Sequence, residues 1–495
     1  MMAGLTKYFR PAFSASADGA AGGGTMVYED LGKAAAAAGS EAAAGAISKI
    51  HAFQKFGSIL GLERMNALLA LLGDPQEDLK VLHVAGTNGK GSICRYLYCA
   101  LQRAGYKTGL YISPYIEVFN ERIEAGGRYI SDEDLAAYTD RVLEKVKVME
   151  ASGQQPPTEF EVITAVAFLY FKEQQCDYVV LEVGLGGRGD STNVCREPLV
   201  SVIASISYDH MDRLGNTLTE IAGEKAGIIK DGCPVVTSCE SEEALAVIRS
   251  AAEKHGCMYT ETRHIPYIIK EESLTGYTFD VDFQGVAFDD LKISMTGEHQ
   301  IRNAVAALAA LCILEERGDI NMPRTALYEG FREARQPGRL EVMFKGPKGS
   351  KGSEGSEGSE TPEGPLVILD GAHNQDGARA LKEAMKEFCG SKKILMVTGI
   401  LADKDVDAVT GYFSEITGDF LLTEPDNPRK MPAEKLAEHM KKKGGRCSAQ
   451  PDPEKACRQA LDRAGREGFD VVLFAGSLYL IGTVRGILRR ILEVK

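Results

Sequence analysis

Short β-branched and apolar runs alternate with stretches of helical period along most of the chain. KVLHVAG (80–86) leads into a helical pattern from Ser92 to about Ala104, and TGLYIS (108–113) into an amphipathic helix over 131–151. A further helix over 159–174 precedes YVVLEVG (178–184), followed by VSVIASI (200–206) and PVVTS (234–238). After residue 364 the alternation resumes with LVILDGAHN, KILMVTGI, DFLLTEP and DVVLFAG. Continuous apolar strands spaced by helices predict an α/β protein built on mainly parallel sheets.

The pattern breaks at QPGR (336–339), where Pro and Gly end a helical stretch. That divides the chain into a larger α/β domain over 47–336 and a smaller α/β domain over 337–495. Two segments fall outside the alternation. Residues 1–46 are rich in Ala, Gly and Ser, lack a secretory signal pattern and read as a flexible leader, with Met26 an alternative start. The Gly/Ser/Glu tract at 346–364 reads as a disordered insertion extruded from a strand connection.

Composition narrows the function. The 495 residues carry 57 Lys and Arg against 70 Asp and Glu, a net charge of −13, which argues against non-specific nucleic-acid binding but leaves room for a local cationic pocket. No apolar run of about 18 residues predicts a membrane span. The 11 cysteines show no C-x-x-C pair and no zinc spacing, which fits a reduced, cytoplasmic setting.

The candidate chemistry sits where strands end. HVAGTNGKGS (83–92) is a glycine-rich strand-to-helix turn, in which backbone N–H groups and a lysine cradle phosphate. Gly89 and Lys90 fit the phosphate-loop pattern, although Val84 occupies its first glycine position and Gly91 separates Lys90 from Ser92. Glu182, in LEVGLGGRGDSTN (181–193), ends an apolar strand, where it holds Mg²⁺ or pairs with a neighbouring cation. The next strand ends in Asp209 and His210, and a histidine there is a weak magnesium ligand on its own. Lys225 reads most simply as a helix-surface lysine beside Glu224; a crowded, partly buried lysine with a reactive amine is the alternative. Gln300 and Asn303, in TGEHQIRNAVAAL, read equally well as helix-capping residues. DGAHN (370–374) and GSLYLIG (476–482) place Asp370, His373, Asn374 and Ser477 at strand ends of the second domain. Polar strand ends in both domains predict a cleft for two different substrates.

Taken in order, HVAGTNGKGS, SPYIEVFNERI, PTEFE, EVGLGGRGDSTN, the ISYDHMDRLGNTLTEIAGEKAGIIK segment, TGEHQIRNA, QPGRLE, LDGAHN and GSLYLIG resemble the folylpolyglutamate synthase/dihydrofolate synthase family of the Mur ligase superfamily. The resemblance runs from about Ile47 to the end of the chain. It implies an ATP- and Mg²⁺-dependent ligase that adds L-glutamate to a folate through an acyl phosphate, with a P-loop-containing, mainly parallel-sheet ATPase domain (47–336) followed by a smaller Rossmann-like domain (337–495). The same chemistry extends to converting dihydropteroate to dihydrofolate.

By motif position the resemblance assigns Gly89, Lys90, Gly91 and Ser92 to the triphosphate, and Asn303, Arg339 and Asp370 to the rest of ATP. It makes Ser113, Glu182 and His210 Mg²⁺ ligands, and Lys225 a carbamylated lysine serving a second magnesium. Thr158 and Asp190 fall near the folate; Arg122, His373 and Ser477 fall near the incoming glutamate. Lys90, Lys225 and His373 are the expected catalytic residues. Tyr115 stands where the family usually has histidine, and Gly189 where it usually has a bulkier residue. The resemblance further implies a monomer whose partners are folate, L-glutamate and ATP, with no nucleic acid or membrane. Two other readings are a peptidoglycan-precursor Mur-type ligase, against which FNERI and EVGLGGR weigh, and a P-loop nucleotide switch, which leaves DGAHN and GSLYLIG unexplained.

Overall fold

The computed structural model describes residues 40–57, 59–344 and 364–492. The expectations for residues 1–39 and for nearly all of the 346–364 tract lie outside the described residues. Residues 41–46, read as part of the leader, instead open a helix, Glu41–His51. Ser40 accepts from the Ala43 N–H as its N-cap, and Ala43, Ala46 and Ile50 are buried on one face. A low-complexity alanine run is also a strong helix former, and here it has a surface to cover.

The first sheet contains β1 (Val81–Ala85), β2 (Thr108–Tyr111), β3 (Ile123–Ala125), β4 (Arg128–Tyr129), β5 (Tyr178–Glu182), β6 (Val200–Ile203), β7 (Val235–Thr237) and β8 (Tyr259–Glu261). Their order is β4-β3-β2-β5-β1-β6-β7-β8, parallel from β2 through β8, with β3 and β4 antiparallel. Every residue of β1 and β5 is buried, because helices cover both faces. Strand order changes direction around β1, which opens a crevice at its carboxyl end.

The helix after β1 starts at Lys90 and runs to Arg103, two residues earlier than the sequence pattern predicts. Its N-cap position is Gly89, with φ of 90°, so no side chain occupies the helix's free N–H groups. The helices Asp132–Ala151 and Glu159–Glu173 match the predicted spans closely. Ser131 caps the first, while Thr158 and Glu161 form a capping box on the second.

A three-stranded antiparallel sheet follows, β9 (Tyr267–Ser273), β10 (Gly276–Phe283) and β11 (Val286–Ile293), packed against the helices Glu298–Glu316 and Arg324–Glu333. The last sheet has the order β12-β13-β17-β14-β15-β16, where β12 is Glu341–Phe344, β13 Leu366–Leu369, β14 Ile394–Thr398, β15 Asp419–Leu422, β16 Arg446–Ala449 and β17 Val471–Ala475. Only its edge strand β12 is antiparallel, pairing Glu341 with Leu369. The Gly/Ser/Glu tract therefore joins two neighbouring strands.

The two α/β units meet through specific side chains. Lys404 Nζ lies 2.8 Å from Asp209, Asn374 donates to Asn88 at 3.1 Å, and Arg485 reaches Glu117 at 2.6 Å. On another side Tyr277 packs edge-on against Phe388.

Candidate active site

A cavity of about 590 Å³ lies at the carboxyl ends of β1 and β5 and extends to the second unit. Gly89, Lys90, Gly91, Ser92, Ser113, Arg122, Thr158, Glu182, Asp190, His210, Lys225, Arg339, His373 and Ser477 all line it. Residues spread over nearly 400 positions of sequence thus share one space. Asn303 and Asp370 stand just behind the lining. Asn303 presses on the phosphate loop, since a Cβ at Gly89 would lie 2.5 Å from its Oδ1. Asp370 accepts from the backbone N–H groups of Leu340 and Ala372 and so holds the segment carrying Arg339.

The phosphate loop is tied to the strand beside it. Thr87 N–H donates to the Ser205 carbonyl at 2.7 Å, and the Thr87 hydroxyl donates to the Ser207 carbonyl. Lys90 Nζ folds over the loop, donating to the carbonyls of Gly86 and Thr87 at 3.0 and 3.2 Å. Lys225 Nζ donates to the same Gly86 carbonyl at 2.8 Å. The surface reading of Lys225 is therefore corrected: it is 4% exposed, because its helix end packs against Gly187, where a Cβ would meet the Lys225 carbonyl oxygen at 2.9 Å. Burial, reinforced by the Lys90 charge, lowers its pKa to about 7.

Glu182 ends β5, with one carboxylate oxygen accepting from the Ser113 N–H at 3.0 Å. Burial raises its pKa, although Lys90 and the Ser113 bond oppose the shift. His210 adopts a left-handed backbone with φ of 51°, and its half-exposed ring lies 3.9 Å from Asp209. Among the described residues no three His, Cys, Asp or Glu side chains converge as a metal-binding group. A metal held here would meet the Glu182 carboxylate, the Ser113 hydroxyl and the His210 ring on the cavity wall, with substrate phosphate as a further donor. That suits magnesium, which commonly binds through one or two carboxylates and substrate phosphates.

Some predicted contacts have work within the protein. Asp190 accepts from Leu185 N–H, Thr192 N–H and the Thr192 hydroxyl, so its carboxylate shapes the GLGGRGD turn. Thr158 caps its helix. Gln300 and Asn303 do not cap theirs, whose N-cap is Gly297; the Asn303 amide donates to Gln300 instead. Arg122 lies over the rings of Tyr115 and Phe119, both 5.3 Å from its guanidinium carbon. Its buried Nε has no hydrogen-bond partner among the described residues. Tyr115 thus replaces a histidine with an aromatic face for this cation. Gly189 admits the neighbouring loop: a Cβ there would lie 3.0 Å from Gly61 N, and Gly61 N–H donates to the Gly189 carbonyl.

The second unit supplies His373, whose Nδ1 donates to the Gly371 carbonyl at 2.8 Å, leaving Nε2 as the acceptor. Burial, followed by the Lys404 charge, lowers its pKa to about 4. Lys404 and Arg429 are cavity residues that the motif reading does not include, and Asp209, given there as a strand-end residue without a role, lines the cavity with them. Burial raises the Asp209 pKa, but His210, Lys404 and His373 overcome it and hold the carboxyl well below its usual range. Lys404 follows β14, and applying the strand-end rule to KILMVTGILADKD marks its neighbourhood.

Two family models match the chain: the Mur ligase middle domain over residues 84–311 and the Mur ligase glutamate ligase domain over 358–478. The dihydrofolate synthase/folylpolyglutamate synthase of Bacillus subtilis is 39% identical over 442 residues, covering 88% of this chain and 97% of that protein. This chain belongs to the folylpolyglutamate synthase/dihydrofolate synthase family. Within that family, the crystal structure of the Thermotoga maritima folylpolyglutamate synthase has 32% identity and a TM-score of 0.76, covering 91% of this chain and 98% of that one. An FPGS–AMPPCP–folate complex has 31% identity and a TM-score of 0.74, with 90% and 99% covered. The two-domain Mur ligase fold that the resemblance implies is therefore the observed one.

Proposed function

We propose that this protein is an ATP-dependent carboxylate–amine ligase that adds L-glutamate to tetrahydrofolate. The observation carrying this reading is the single cavity that joins a lysine-bearing phosphate loop to the DGAHN and GSLYLIG segments of the second domain. Family membership supplies the substrate class: the similar proteins are named for folate ligation, and one neighbour's structure is a complex with an ATP analogue and folate.

A carboxylate is a poor electrophile, and oxide is a poor leaving group. Phosphorylation by ATP corrects both, and glutamate's amine then displaces phosphate to form the amide. The phosphate loop presents its N–H groups and Lys90 to the triphosphate, as the charge spread over a transferring phosphoryl group requires. Asn303, Arg339 and Asp370 bound the remainder of the nucleotide site. Magnesium, when bound, supplies charge neutralisation between phosphate oxygens, with Glu182, Ser113 and His210 as its expected holders. Lys225 is the residue for carbamylation: its buried amine is held near neutrality, the form that reacts with CO₂, and the product is an oxygen ligand suited to a second magnesium.

On the other side of the cavity, Arg122 offers an unpaired N–H to a carboxylate, and Ser477 lies in the same wall. His373 Nε2 is positioned to accept a proton as the incoming ammonium becomes an amine. Thr158 and Asp190 shape the folate side through the loops they hold. Enclosure by both domains limits water access to the acyl phosphate.

ADP release tests the reading. Turnover is expected with tetrahydrofolate only when glutamate is present, and the same assay with dihydropteroate reports dihydrofolate synthesis. Turnover with a UDP-linked muramyl substrate, or ATP hydrolysis indifferent to folate and glutamate, would contradict it.

A further inference from the structure

The phosphate loop is held from the second domain as well as from its own sheet. Asn374 Nδ2 donates to Asn88 Oδ1 at 3.1 Å, across 286 residues of sequence. We propose that Asn374 is a positioning residue that sets the phosphate loop against the second domain through Asn88. The proposal rests on the ligase reading for its kinetic consequence, while the bridge itself is a matter of geometry.

The orientation of the Asn374 amide follows from its other bond. Its Oδ1 accepts from Gly377 N–H at 2.9 Å, as the N-cap of the helix Gln375–Cys389. With the oxygen so engaged, the NH₂ group faces the phosphate loop. Asn374 is 6% exposed, so the amide gains little from water. One side chain therefore ends a helix of one domain and anchors a loop of the other.

Asn88 occupies a sensitive place. It lies between Gly86 and Gly89, with φ values of 143° and 90°, conformations that cost glycine much backbone freedom to hold. Its own amide donates to Ser207 Oγ at 3.4 Å, while its carbonyl accepts from Ser205 Oγ at 3.2 Å. Both serines belong to the segment leading to Asp209. Asn374 also follows His373, whose Nε2 is 4.0 Å from Asp209. The Asn374–Asn88 bond thus fixes the spacing between the phosphate loop and the DGAHN segment at the place where phosphoryl and amine chemistry must meet. Preorganised N–H groups need no rearrangement when nucleotide binds, so losing the bond should weaken nucleotide binding before it weakens the fold.

The test separates capping from bridging. Asn374→Ser keeps a good N-cap but is too short to reach Asn88, whereas Asn88→Ala removes the partner and leaves the cap untouched. Asn374→Ser is expected to raise the ADP Kd and the KM for ATP by roughly two- to twelvefold, the value of one neutral hydrogen bond, and Asn88→Ala by at least as much. The Tm of Asn374→Ser should remain near wild type. The double variant should be no weaker than Asn88→Ala, which already lacks this bond together with the one from its own amide to Ser207. Unchanged ADP affinity in Asn374→Ser, or effects that multiply in the double variant, would overturn the proposal. ADP titration needs no folate. A wild-type chain that binds ADP but makes no glutamyl folate would refute the ligase reading and still allow the bridge to be decided.

Discussion

Arg485 offers the sharpest test of how the domains are held together. Its Nη1 lies 2.6 Å from Glu117 in the first domain, while Nε and Nη2 approach Glu341 at 2.9 and 2.7 Å. The side chains of Arg485, Glu117 and Glu341 are 10%, 15% and 20% exposed. Burial disfavours the guanidinium charge, yet the two glutamates hold it firmly protonated. Arg485→Met would leave two largely buried carboxylates facing each other, and one oxygen of Glu117 already lacks a hydrogen bond. Removing one partner of a buried pair costs about 3–5 kcal/mol. The low end applies, because the carboxylates retain some water and Arg489 still reaches Glu117 at 3.1 Å. With a urea slope of about 2 kcal/mol/M, a loss of about 3 kcal/mol lowers the unfolding midpoint by about 1.5 M. The chain has no tryptophan, so far-ultraviolet circular dichroism is the appropriate probe. Adding Glu117→Gln and Glu341→Gln to Arg485→Met should recover most of the loss, since no buried charge then stands unpaired. A single variant within about 0.5 kcal/mol of wild type, or a triple variant no better than the single, would refute this reasoning.

Three other outcomes are expected. Lys90→Ala should retain the wild-type circular dichroism spectrum and lose ligation at least a hundredfold, about 2.7 kcal/mol of transition-state stabilisation, measured as ADP release. Lys225→Ala should be nearly inactive and partly restored by short carboxylic acids, with intact-protein mass spectrometry showing a CO₂ adduct only on the wild type. His83 is fully buried and its pKa is lowered to about 3, by burial first and Lys230 second. The unfolded chain therefore binds the extra proton between about pH 6.5 and 3, and stability falls as pH falls through that window. From pH 7 to pH 5 this group alone should remove about 2 kcal/mol, so His83→Gln should show a correspondingly shallower decline in urea titrations.

The parts of this architecture that depend on local pattern were legible in the sequence. The buried strands of both main sheets are continuous apolar runs ending in glycine or a polar residue, and their ends located the phosphate loop, Glu182, His373 and Ser477. The antiparallel unit from Tyr267 to Ile293 was not read. Its edge strand β9 is largely exposed and mixes Ile268 and Ile269 with Lys270, Glu271 and Glu272, so no period dominates. Composition misleads at 41–46, where an alanine-rich stretch of low complexity is the start of a helix capped by Ser40. Pairings across the domains carry no sequence signal: Asp209 and Lys404 are 195 residues apart, and each alone is an ordinary surface charge. Motif resemblance could place Asp190 and Thr158 near substrate, but not show that their hydrogen bonds are spent on a loop and a helix end. The burial of Lys225 also needed three dimensions, because it depends on GLGG packing against the helix end.

The most direct test follows the oxygen atoms of the folate carboxylate. Tetrahydrofolate carrying isotopically labelled carboxylate oxygen is incubated with the protein, ATP, magnesium and glutamate, and both products are analysed by mass spectrometry. The account predicts a folate longer by one glutamyl residue and one labelled oxygen transferred to the released phosphate. Phosphate without the label, or label transfer with no extended folate, would contradict ligation through an acyl phosphate at this cavity.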